Sequence, residues 1–337
     1  MKSRAIVFPD AGRVAVVEEE VSPPGPGEVL CRATRSLVSL GTEGNCLRGI
    51  CDPGTYWEEY IRYPFRPGYS MAAEVVAVGA RVTGHRPGDR VTGWAPHCEW
   101  FISAQDQLFP VPIGISDEEA TWATLARTTQ IGVRRAELEL GETAVVVGLG
   151  ILGQLVTQYL SLSGARRVIV VDPVASRREL ALANGATDAI GLAADGARDE
   201  VARITGGAMA DVVFDVTGHP AVLAPASLLL RKLGRLVLLG DSPTPSRQAL
   251  GPRIVGDSIA ILGIHGMMYP AAATPFNQWT AAAMTSLFFD YLASKRMNVA
   301  ALVTHRVSPL DADEVYNSIA RQPDAALGVL FDWTRLP

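Results

Sequence analysis

Residues 147–153 read Val-Gly-Leu-Gly-Ile-Leu-Gly, and the fold of the surrounding chain follows from this short stretch. The residues before it are apolar, and those after it have the periodicity of a helix. Gly148 permits a tight turn, Gly150 lets backbone N–H groups approach a diphosphate, and Gly153 lets helix and strand pack closely. The N-terminus of such a helix also favours an anion. The stretch therefore predicts a strand–turn–helix unit that binds the diphosphate of a dinucleotide.

A carboxylate follows this loop at the spacing of an acceptor for the adenosine ribose. Asp172 ends the next apolar run, about 20 residues beyond the loop. It can accept a hydrogen bond from a ribose hydroxyl and would repel a 2′-phosphate, so NAD is the predicted cofactor and NADP is less favoured. Arg177 and Arg178 follow, and they either approach the cofactor or decorate the next helix.

The predicted cofactor-binding residues form three groups along the chain: the loop, the acid with its neighbour, and the ends of later strands. They are Gly148, Leu149, Gly150, Ile151, Leu152, Gly153, Asp172, Arg177, Thr217, Gly240 and His265. A structural role is the alternative for His265, which follows an apolar run.

The chain changes its pattern near residue 116. Before about residue 100, short apolar runs separated by Pro and Gly predict a compact, barrel-like β unit without a convincing helix. Ser116 and Glu119 then form a capping box that starts a helix reaching about residue 136. Beyond it, apolar strands alternate with helices, as in a parallel sheet covered on both faces. The predicted fold class is therefore α/β, with a doubly wound parallel sheet inserted into a β-rich unit.

The C-terminal part of the chain is predicted to return to the β-rich unit. Thr274 and Pro275 have the residue types of an N-cap and a first helical position, so we expect a long helix from there. Residues 303–307 and 329–333 read as strands. The predicted domains are residues 1–125 together with 266–337, and residues 126–265.

Composition excludes several classes of protein. The chain has 337 residues, of which 48% are hydrophobic, and a net charge of −5 at pH 7 without a clustered basic face for nucleic acid. Neither a secretory signal nor an uninterrupted apolar stretch long enough to cross a membrane is visible, so we expect a cytoplasmic protein. The four cysteines lack paired spacing and are expected to be free thiols: Cys31, Cys46, Cys51 and Cys98.

Several motifs occur in the order and spacing of one superfamily. They are Pro67-Gly68, residues 74–79 (Glu-Val-Val-Ala-Val-Gly), residues 87–91 (Pro-Gly-Asp-Arg-Val), the 147–153 loop, residues 215–218 (Asp-Val-Thr-Gly) and residues 303–306 (Val-Thr-His-Arg). In these the chain resembles the medium-chain dehydrogenase/reductase superfamily, the relatives of zinc alcohol dehydrogenase. The resemblance implies a GroES-like substrate domain, an inserted Rossmann domain, and an active site in the cleft between them. It also implies a small-molecule substrate and a homodimer formed through an edge strand near residues 259–264.

The chain departs from that family at each expected zinc ligand. Leu40 stands where the family has a Cys, Tyr69 and Ser70 replace a His-Glu pair, and the third position falls near Thr124. A catalytic zinc takes three nitrogen, sulfur or carboxylate ligands. These residues do not supply them, and the four-cysteine structural lobe is missing as well. The sequence therefore predicts a site without zinc.

Without a metal, hydrogen-bond donors must stabilise the developing alkoxide. The resemblance matches Thr42 to the hydroxyl that binds the substrate alcohol, and Tyr69 either transfers a proton or only fills the vacated metal position. Glu43 replaces a family Asp and either takes part in catalysis or fixes the loop. For Tyr69 to act as a base, a cation must lower its pKa from about 10, and Arg35, Arg127 or the nicotinamide are the candidate charges.

Residues 56–65 mix aromatic and charged side chains, which either form a wall for a polyhydroxy ring or pack on the β unit. The predicted substrate contacts are Trp57, Arg35 and Thr128. The predicted reaction is the interconversion of a secondary alcohol and a ketone by a zinc-independent, NAD(H)-dependent oxidoreductase. A sugar, a cyclitol or another polar ring alcohol is the predicted substrate class.

Three alternatives stay open at this point. Gly-Thr-Glu at 41–43, Thr-His-Arg at 304–306 and Phe-Asp-Trp at 331–333 resemble bacteriochlorophyllide hydroxyethyl dehydrogenases. A quinone or enoyl reductase is the second alternative, which Asp172 disfavours because such enzymes usually take NADP. The third is a protein that senses NAD(H) without turnover.

Overall fold

The computed structural model describes residues 1–337, which form two compact units. Unit 1 comprises residues 1–124 and 285–337, and unit 2 comprises residues 125–284. Residues 266–284, which the sequence assigned to the first domain, group with unit 2. The physical reason is local, since the Gln130 side-chain amide donates to the Met284 carbonyl at 2.7 Å. Gly266 also lies so close to Thr128 that no side chain would fit there.

Unit 1 is built mainly of antiparallel strands. Its strands are β1 (Lys2–Val7), β2 (Ala15–Glu20), β3 (Glu28–Leu37), β4 (Met71–Val78), β5 (Arg90–Gly93), β6 (Trp100–Ala104), β7 (Leu108–Pro110), β14 (Val303–Val307) and β15 (Gly328–Asp332). β1 pairs with β2, and the main sheet has the order β14-β15-β3-β4-β5-β7, with β6 also paired to β3. β15 pairs with β3 antiparallel, so the C-terminal strands return to this unit as predicted.

Unit 1 also contains four helices, and the first two interrupt the first hundred residues, where the sequence predicted none. They are α1 (Leu40–Arg48), α2 (Tyr56–Tyr60), α3 (Asp117–Ala120) and α10 (Ala312–Arg321). Gly41 and Gly44 weaken the helix propensity of α1. Burial of Cys46 and Leu47 in the core of the unit compensates, and the helix ends at Gly49 with a φ of 65°. The capping box at Ser116 is present as predicted, although α3 is only one turn long.

Unit 2 contains a parallel sheet with the doubly wound strand order. Its strands are β8 (Thr143–Val147), β9 (Arg167–Val171), β10 (Asp188–Ile190), β11 (Ala210–Asp215), β12 (Leu230–Leu238) and β13 (Ala260–Gly263), in the order β10-β9-β8-β11-β12-β13. The helices between them are α5 (Ile151–Leu162), α6 (Ala175–Ala183), α7 (Arg198–Thr205) and α8 (Leu223–Ser227). Consecutive residues Ala144, Val145 and Val146 are all completely buried, as expected of a strand covered on both faces. The predicted α/β fold class is confirmed.

The two remaining helices, α4 (Ala123–Arg135) and α9 (Ala281–Ala293), contain the unit boundaries. The prediction that a helix starts at Thr274 is wrong. The Thr274 hydroxyl accepts from the Asn277 amide at 3.0 Å and closes a single turn that does not propagate. The hydroxyl of Thr280 instead accepts from Ala283 at 3.2 Å and caps α9. None of the helices is both long and apolar enough to cross a bilayer.

Replacing a buried aromatic residue of the parallel sheet should lower the thermal stability of unit 2. Phe214 on β11 is completely buried, and Phe214→Ala should cost about 3–5 kcal/mol through lost burial and the cavity left behind. Phe276→Ala is the matched control, because that ring is 99% exposed. Thermal unfolding followed by circular dichroism checks this. Equal melting temperatures for the two variants would contradict the placement of Phe214.

Candidate active site

Three hydroxyl groups meet at the N-terminus of α1 in unit 1. Ser39 precedes the helix, Thr42 lies in its first turn, and Tyr69 precedes β4. The Tyr69 phenol donates to the Ser39 Oγ at 2.5 Å, and the Thr42 Oγ1 lies 3.4 Å from the Tyr69 Oη. Thr42 and Tyr69 are half-buried. The structure thus brings together the two predicted hydroxyls and adds a third, Ser39, that sequence reasoning missed.

The environment of Tyr69 keeps its phenol protonated. Burial is the main cause, and it raises the pKa of Tyr69 to about 12, although the hydrogen bonds between Tyr69 and both Ser39 and Thr42 oppose the shift. The Glu43 charge raises this pKa further. The condition for Tyr69 to act as a base, a pKa lowered by a cation, is thus not met by the side chains around it. Arg35, one of the candidate cations, instead forms an ion pair with Asp332 at 2.6 Å.

Glu43 is completely enclosed and collects donors from three segments of unit 1. Only 1% of Glu43 is exposed. Its Oε1 accepts from the Ser39 backbone N–H at 2.8 Å, and its Oε2 lies 3.1 Å from the His97 Nε2. The Tyr316 hydroxyl donates to the same Oε2. Burial and the neighbouring carboxylate raise the pKa of Tyr316 well above its ordinary value, so this hydroxyl remains a donor.

The second ring nitrogen of His97 is also hydrogen-bonded. Its Nδ1 lies 2.8 Å from the Ser36 Oγ, which accepts from the Trp333 indole N–H at 2.9 Å. His97 itself is completely buried. These residues lie up to 297 positions apart, so only the fold brings them together. Neither Ser36 nor His97 was singled out in the sequence analysis.

Aromatic side chains of α2 lie near this cluster. Trp57 belongs to the hydrophobic core of unit 1 and meets Tyr60 edge-on, with ring centroids 6.3 Å apart. Tyr60 stacks on the half-exposed Tyr56 at 5.7 Å. Burial is the main cause that raises the pKa of Tyr60, and Cys46, Tyr69 and Tyr56 contribute less. Of the predicted substrate contacts, Trp57 is thus close to Tyr60, whereas Arg35 is engaged with Asp332.

The positions that the family resemblance assigns to zinc do not form a suitable donor set. Leu40 is apolar, the Tyr69 phenol is hydrogen-bonded to Ser39, and Ser70 and Thr124 offer only hydroxyls. No group of three or more His, Cys, Asp or Glu side chains anywhere in the chain is placed to hold a metal ion. Glu43 and His97 contact each other, but they are only two. The residues present do not fit a catalytic zinc.

The glycine loop of unit 2 makes the close backbone contacts that its sequence predicts. Gly148 has a φ of 91°, and a Cβ there would lie 2.6 Å from the Thr217 Cγ2. A Cβ on Gly153 would lie 2.0 Å from the Gly148 carbonyl oxygen, so α5 can pack here only on a glycine. Gly150, at the N-cap of α5, faces open space, since a Cβ there would have no neighbour within 4 Å. This is the space that a diphosphate would approach.

Asp172 holds the loop against the end of β9. One of its carboxylate oxygens accepts from the Leu149 N–H at 2.7 Å, and the other accepts from the Val174 N–H at 2.8 Å. Arg178 donates to the carbonyl oxygens of Asp172 and Pro173, both at 2.8 Å. Arg177 is half-buried at the start of α6. Asp172 thus holds the conformation of the loop through these hydrogen bonds and also places a carboxylate beside it.

The other predicted cofactor residues lie on unit 2 as well. The Thr217 hydroxyl donates to the Asp215 carboxylate at 2.7 Å, and Gly240 packs directly against the turn at 216–218. Ile151 and Leu152 form the first turn of α5. His265 is exposed at the end of β13, and Thr128 is half-buried on α4. The tight loop, the open position at Gly150 and the Asp172 carboxylate together fit a dinucleotide.

Two glycine variants should separate folding from cofactor binding. Gly150→Ala should leave the melting temperature of the ligand-free protein unchanged, because its Cβ meets nothing, yet weaken NADH binding by at least about tenfold, since the Cβ enters the diphosphate space. Gly153→Ala should lower the melting temperature through its clash with the Gly148 carbonyl. Thermal shift and NADH fluorescence titration measure both. Unchanged NADH affinity in Gly150→Ala would contradict the assignment of this loop.

Comparison with known proteins places the chain in a family. The sequence model of the alcohol dehydrogenase GroES-like domain matches residues 25–135, and that of the zinc-binding dehydrogenase family matches residues 152–284. Sorbitol dehydrogenase of Gallus gallus is 26% identical over 94% of this chain and 93% of its own length. D-guloside 3-dehydrogenase of Escherichia coli K12 is 33% identical, over 48% of this chain and 47% of its own.

Solved structures share the whole fold. An oxidoreductase of unknown specificity from Escherichia coli has a TM-score of 0.83 at 19% identity, covering 98% of this chain and 99% of that one. A candidate zinc-binding dehydrogenase from Sinorhizobium meliloti 1021, solved with NADP, has a TM-score of 0.79 at 20% identity with the same coverage. A structure reported as a short chain alcohol dehydrogenase from Escherichia coli CFT073, with NADH, has a TM-score of 0.80 at 19% identity, again covering 98% and 99%. The chain therefore belongs to the medium-chain dehydrogenase/reductase superfamily of alcohol dehydrogenase-type enzymes.

Proposed function

We propose that this enzyme is a zinc-independent, NAD(H)-dependent oxidoreductase that interconverts a secondary alcohol and a ketone. The observation that carries the proposal is the hydroxyl cluster of Ser39, Thr42 and Tyr69. Tyr69 stands where the family resemblance expects a metal ligand, and Ser39 and Thr42 are hydrogen-bonded to it. The substrate oxygen would then be polarised by hydroxyl groups instead of by an ion.

Hydrogen-bond donors of unit 1 can carry this chemistry. One well-placed donor is typically worth about 10²–10³ in rate, or roughly 3–4 kcal/mol. A nicotinamide cofactor held by the Gly148–Gly153 loop and Asp172 would supply the hydride chemistry. In the direction of ketone reduction, the neutral Tyr69 phenol turns its single O–H from the Ser39 Oγ to the reacting oxygen and donates that proton, and solvent returns a proton to the phenol oxygen. Thr42, half-buried beside it, donates a second hydrogen bond to the same oxygen.

The residues around Asp172 favour NAD over NADP. The Asp172 carboxylate would repel a 2′-phosphate at the ribose. The guanidinium group of Arg178 is already bound to the carbonyl oxygens of Asp172 and Pro173, so it is not disposed to receive that phosphate. Both features support NAD as the physiological cofactor.

A polar ring alcohol or polyol is the substrate class that we favour. The exposed Tyr56 and its stack on Tyr60 provide an aromatic surface on unit 1, and aromatic rings pack well on the apolar face of a sugar. Relatives named as sorbitol and D-guloside dehydrogenases agree with this class. A homodimer and a cytoplasmic location stay predictions, as does the bacteriochlorophyllide alternative.

Removing either hydroxyl should slow turnover of secondary alcohols and their ketones. Tyr69→Phe and Thr42→Ala should each lower kcat/KM by about 10²–10³, because each removes one donor from the reacting oxygen. Initial rates of NADH formation or consumption with a panel of polyols, sugars and ketones measure this. Tyr63→Phe is the matched control, since its phenol donates to the Cys46 carbonyl and not to the cluster.

The same assay tests the reaction class and the metal. Dialysis against a zinc chelator should leave the rate unchanged, and added Zn²⁺ should not raise it. Activity restricted to conjugated enones would overturn the alcohol assignment in favour of an enoyl reductase. Tight NADH binding without turnover of any substrate would favour the sensing alternative.

The pH profile should reflect a phenol that stays protonated. Because burial raises the pKa of Tyr69 to about 12, the donor form persists well above the ordinary tyrosine pKa of about 10 and is lost only as the pH rises toward the shifted value. The rate of ketone reduction should therefore show no phenol-dependent decrease from about pH 7 to about pH 10. A decrease in that interval that disappears in Tyr69→Phe would contradict this environment for the phenol.

A further inference from the structure

The hydroxyl cluster is anchored to a buried carboxylate that the proposed reaction does not itself use. Glu43 is almost completely shielded from solvent. A charged group in such an environment is stable only when its hydrogen bonds are satisfied. Its three donors come from distant parts of unit 1: the Ser39 amide, the His97 ring and the Tyr316 hydroxyl. Because burial of a carboxylate carries a desolvation penalty, we looked for a functional role of this network in addition to a structural one.

The proton positions in this network can be assigned from its partners. The Glu43 carboxylate can only accept, so His97 donates to it from Nε2. In the neutral ring Nδ1 then accepts from the Ser36 hydroxyl, which in turn accepts from the Trp333 N–H. In this tautomer every donor has an acceptor, and the carboxylate ends the chain of hydrogen bonds with both oxygens occupied. The network therefore has one arrangement that fixes the position of Glu43.

Ser39 links this fixed carboxylate to the phenol. Serine is a preferred N-cap residue, yet the Ser39 side chain makes no capping bond to α1. It instead accepts the Tyr69 hydroxyl at 2.5 Å, while its backbone N–H is held by Glu43 at 2.8 Å. Ser39 is therefore hydrogen-bonded both to the buried carboxylate of Glu43 and to the phenol of Tyr69.

From this geometry, and resting on the proposed function, we infer that Ser39 is a positioning residue for Tyr69. Glu43, fixed by His97 and Tyr316, is in turn the positioning residue for Ser39. Ser39 holds the phenol oxygen at the distance and direction from which it can donate to the substrate. A displacement of about 1 Å in a reacting group can cost up to roughly 10² in rate, so the loss of this support should be visible in turnover.

Serine substitutions test the inference directly. Ser39→Ala should lower kcat about 10- to 100-fold with KM changed by less than about threefold, because the phenol is misplaced while substrate contacts remain. Ser39→Thr keeps the hydroxyl and should restore most of the rate. Ser70→Ala is the matched control, since that buried neighbouring hydroxyl has no hydrogen-bond partner and its loss should leave kcat unchanged.

A double-mutant cycle distinguishes positioning from a general effect on folding. In the Tyr69→Phe background, Ser39→Ala should cause no further loss of kcat, because the group that it positions is already gone. Glu43→Gln should lower kcat in the same coupled way, since one amide oxygen cannot serve all three donors. If Glu43→Gln does not fold, the Ser39 variants alone still test whether Ser39 positions Tyr69.

The outcomes separate this inference from the proposal beneath it. If Tyr69→Phe alone leaves turnover intact, the proposed function fails. If Tyr69→Phe lowers kcat but Ser39→Ala does not, or if the two losses simply multiply in the double variant, only the positioning role is overturned. Melting temperature and NADH affinity, measured on every variant, should stay at the values of the unsubstituted protein for Ser39→Ala.

Discussion

The hydrogen bonds that converge on the buried Glu43 carboxylate are the constraint on which the rest of unit 1 depends. They join the start of α1, the segment that carries His97 and the face of α10 that carries Tyr316. An ionised carboxylate without these donors would cost several kcal/mol in such a dry environment. The chain therefore has to bring the three segments together before the charge can be tolerated. Ser39 connects this network to Tyr69, since its N–H donates to Glu43 and its Oγ accepts from the phenol.

Unit 2 is organised by close backbone contact rather than by charge. Gly148 and Gly153 bring the end of β8 and the start of α5 nearer than any side chain allows, and Asp172 fastens this loop to the end of β9. The two units thus obtain their functional surfaces by different means. In one, a polar network orients hydroxyls, and in the other, missing side chains leave room for a phosphate group. Both depend on groups that are fixed before any ligand arrives, which reduces the free energy of ordering on binding.

Most features that could be predicted from the sequence depend on short segments of the chain. The glycine loop, the parallel sheet and the proximity of Thr42 to Tyr69 follow from short motifs and from the family resemblance. The network around Glu43 could not be predicted, because Tyr316 lies 273 positions from its partner and nothing local marks it. The Ser39–Glu43 spacing was the one available signal. The raised pKa of Tyr69 could not be predicted either, because it depends on burial that only the fold produces. Helix α1 was missed because tertiary packing overrides its glycines.

The two hydrogen bonds that Asp172 accepts from backbone N–H groups have a consequence for attempts to redesign the cofactor site for NADP. The obvious step is to exchange the acid for a small neutral residue and so remove the repulsion. Here that exchange would also deprive the amides of Leu149 and Val174 of their acceptors, and the turn that they shape would loosen. A successful change of coenzyme would have to rebuild the loop around a new acceptor, and not merely delete a negative charge.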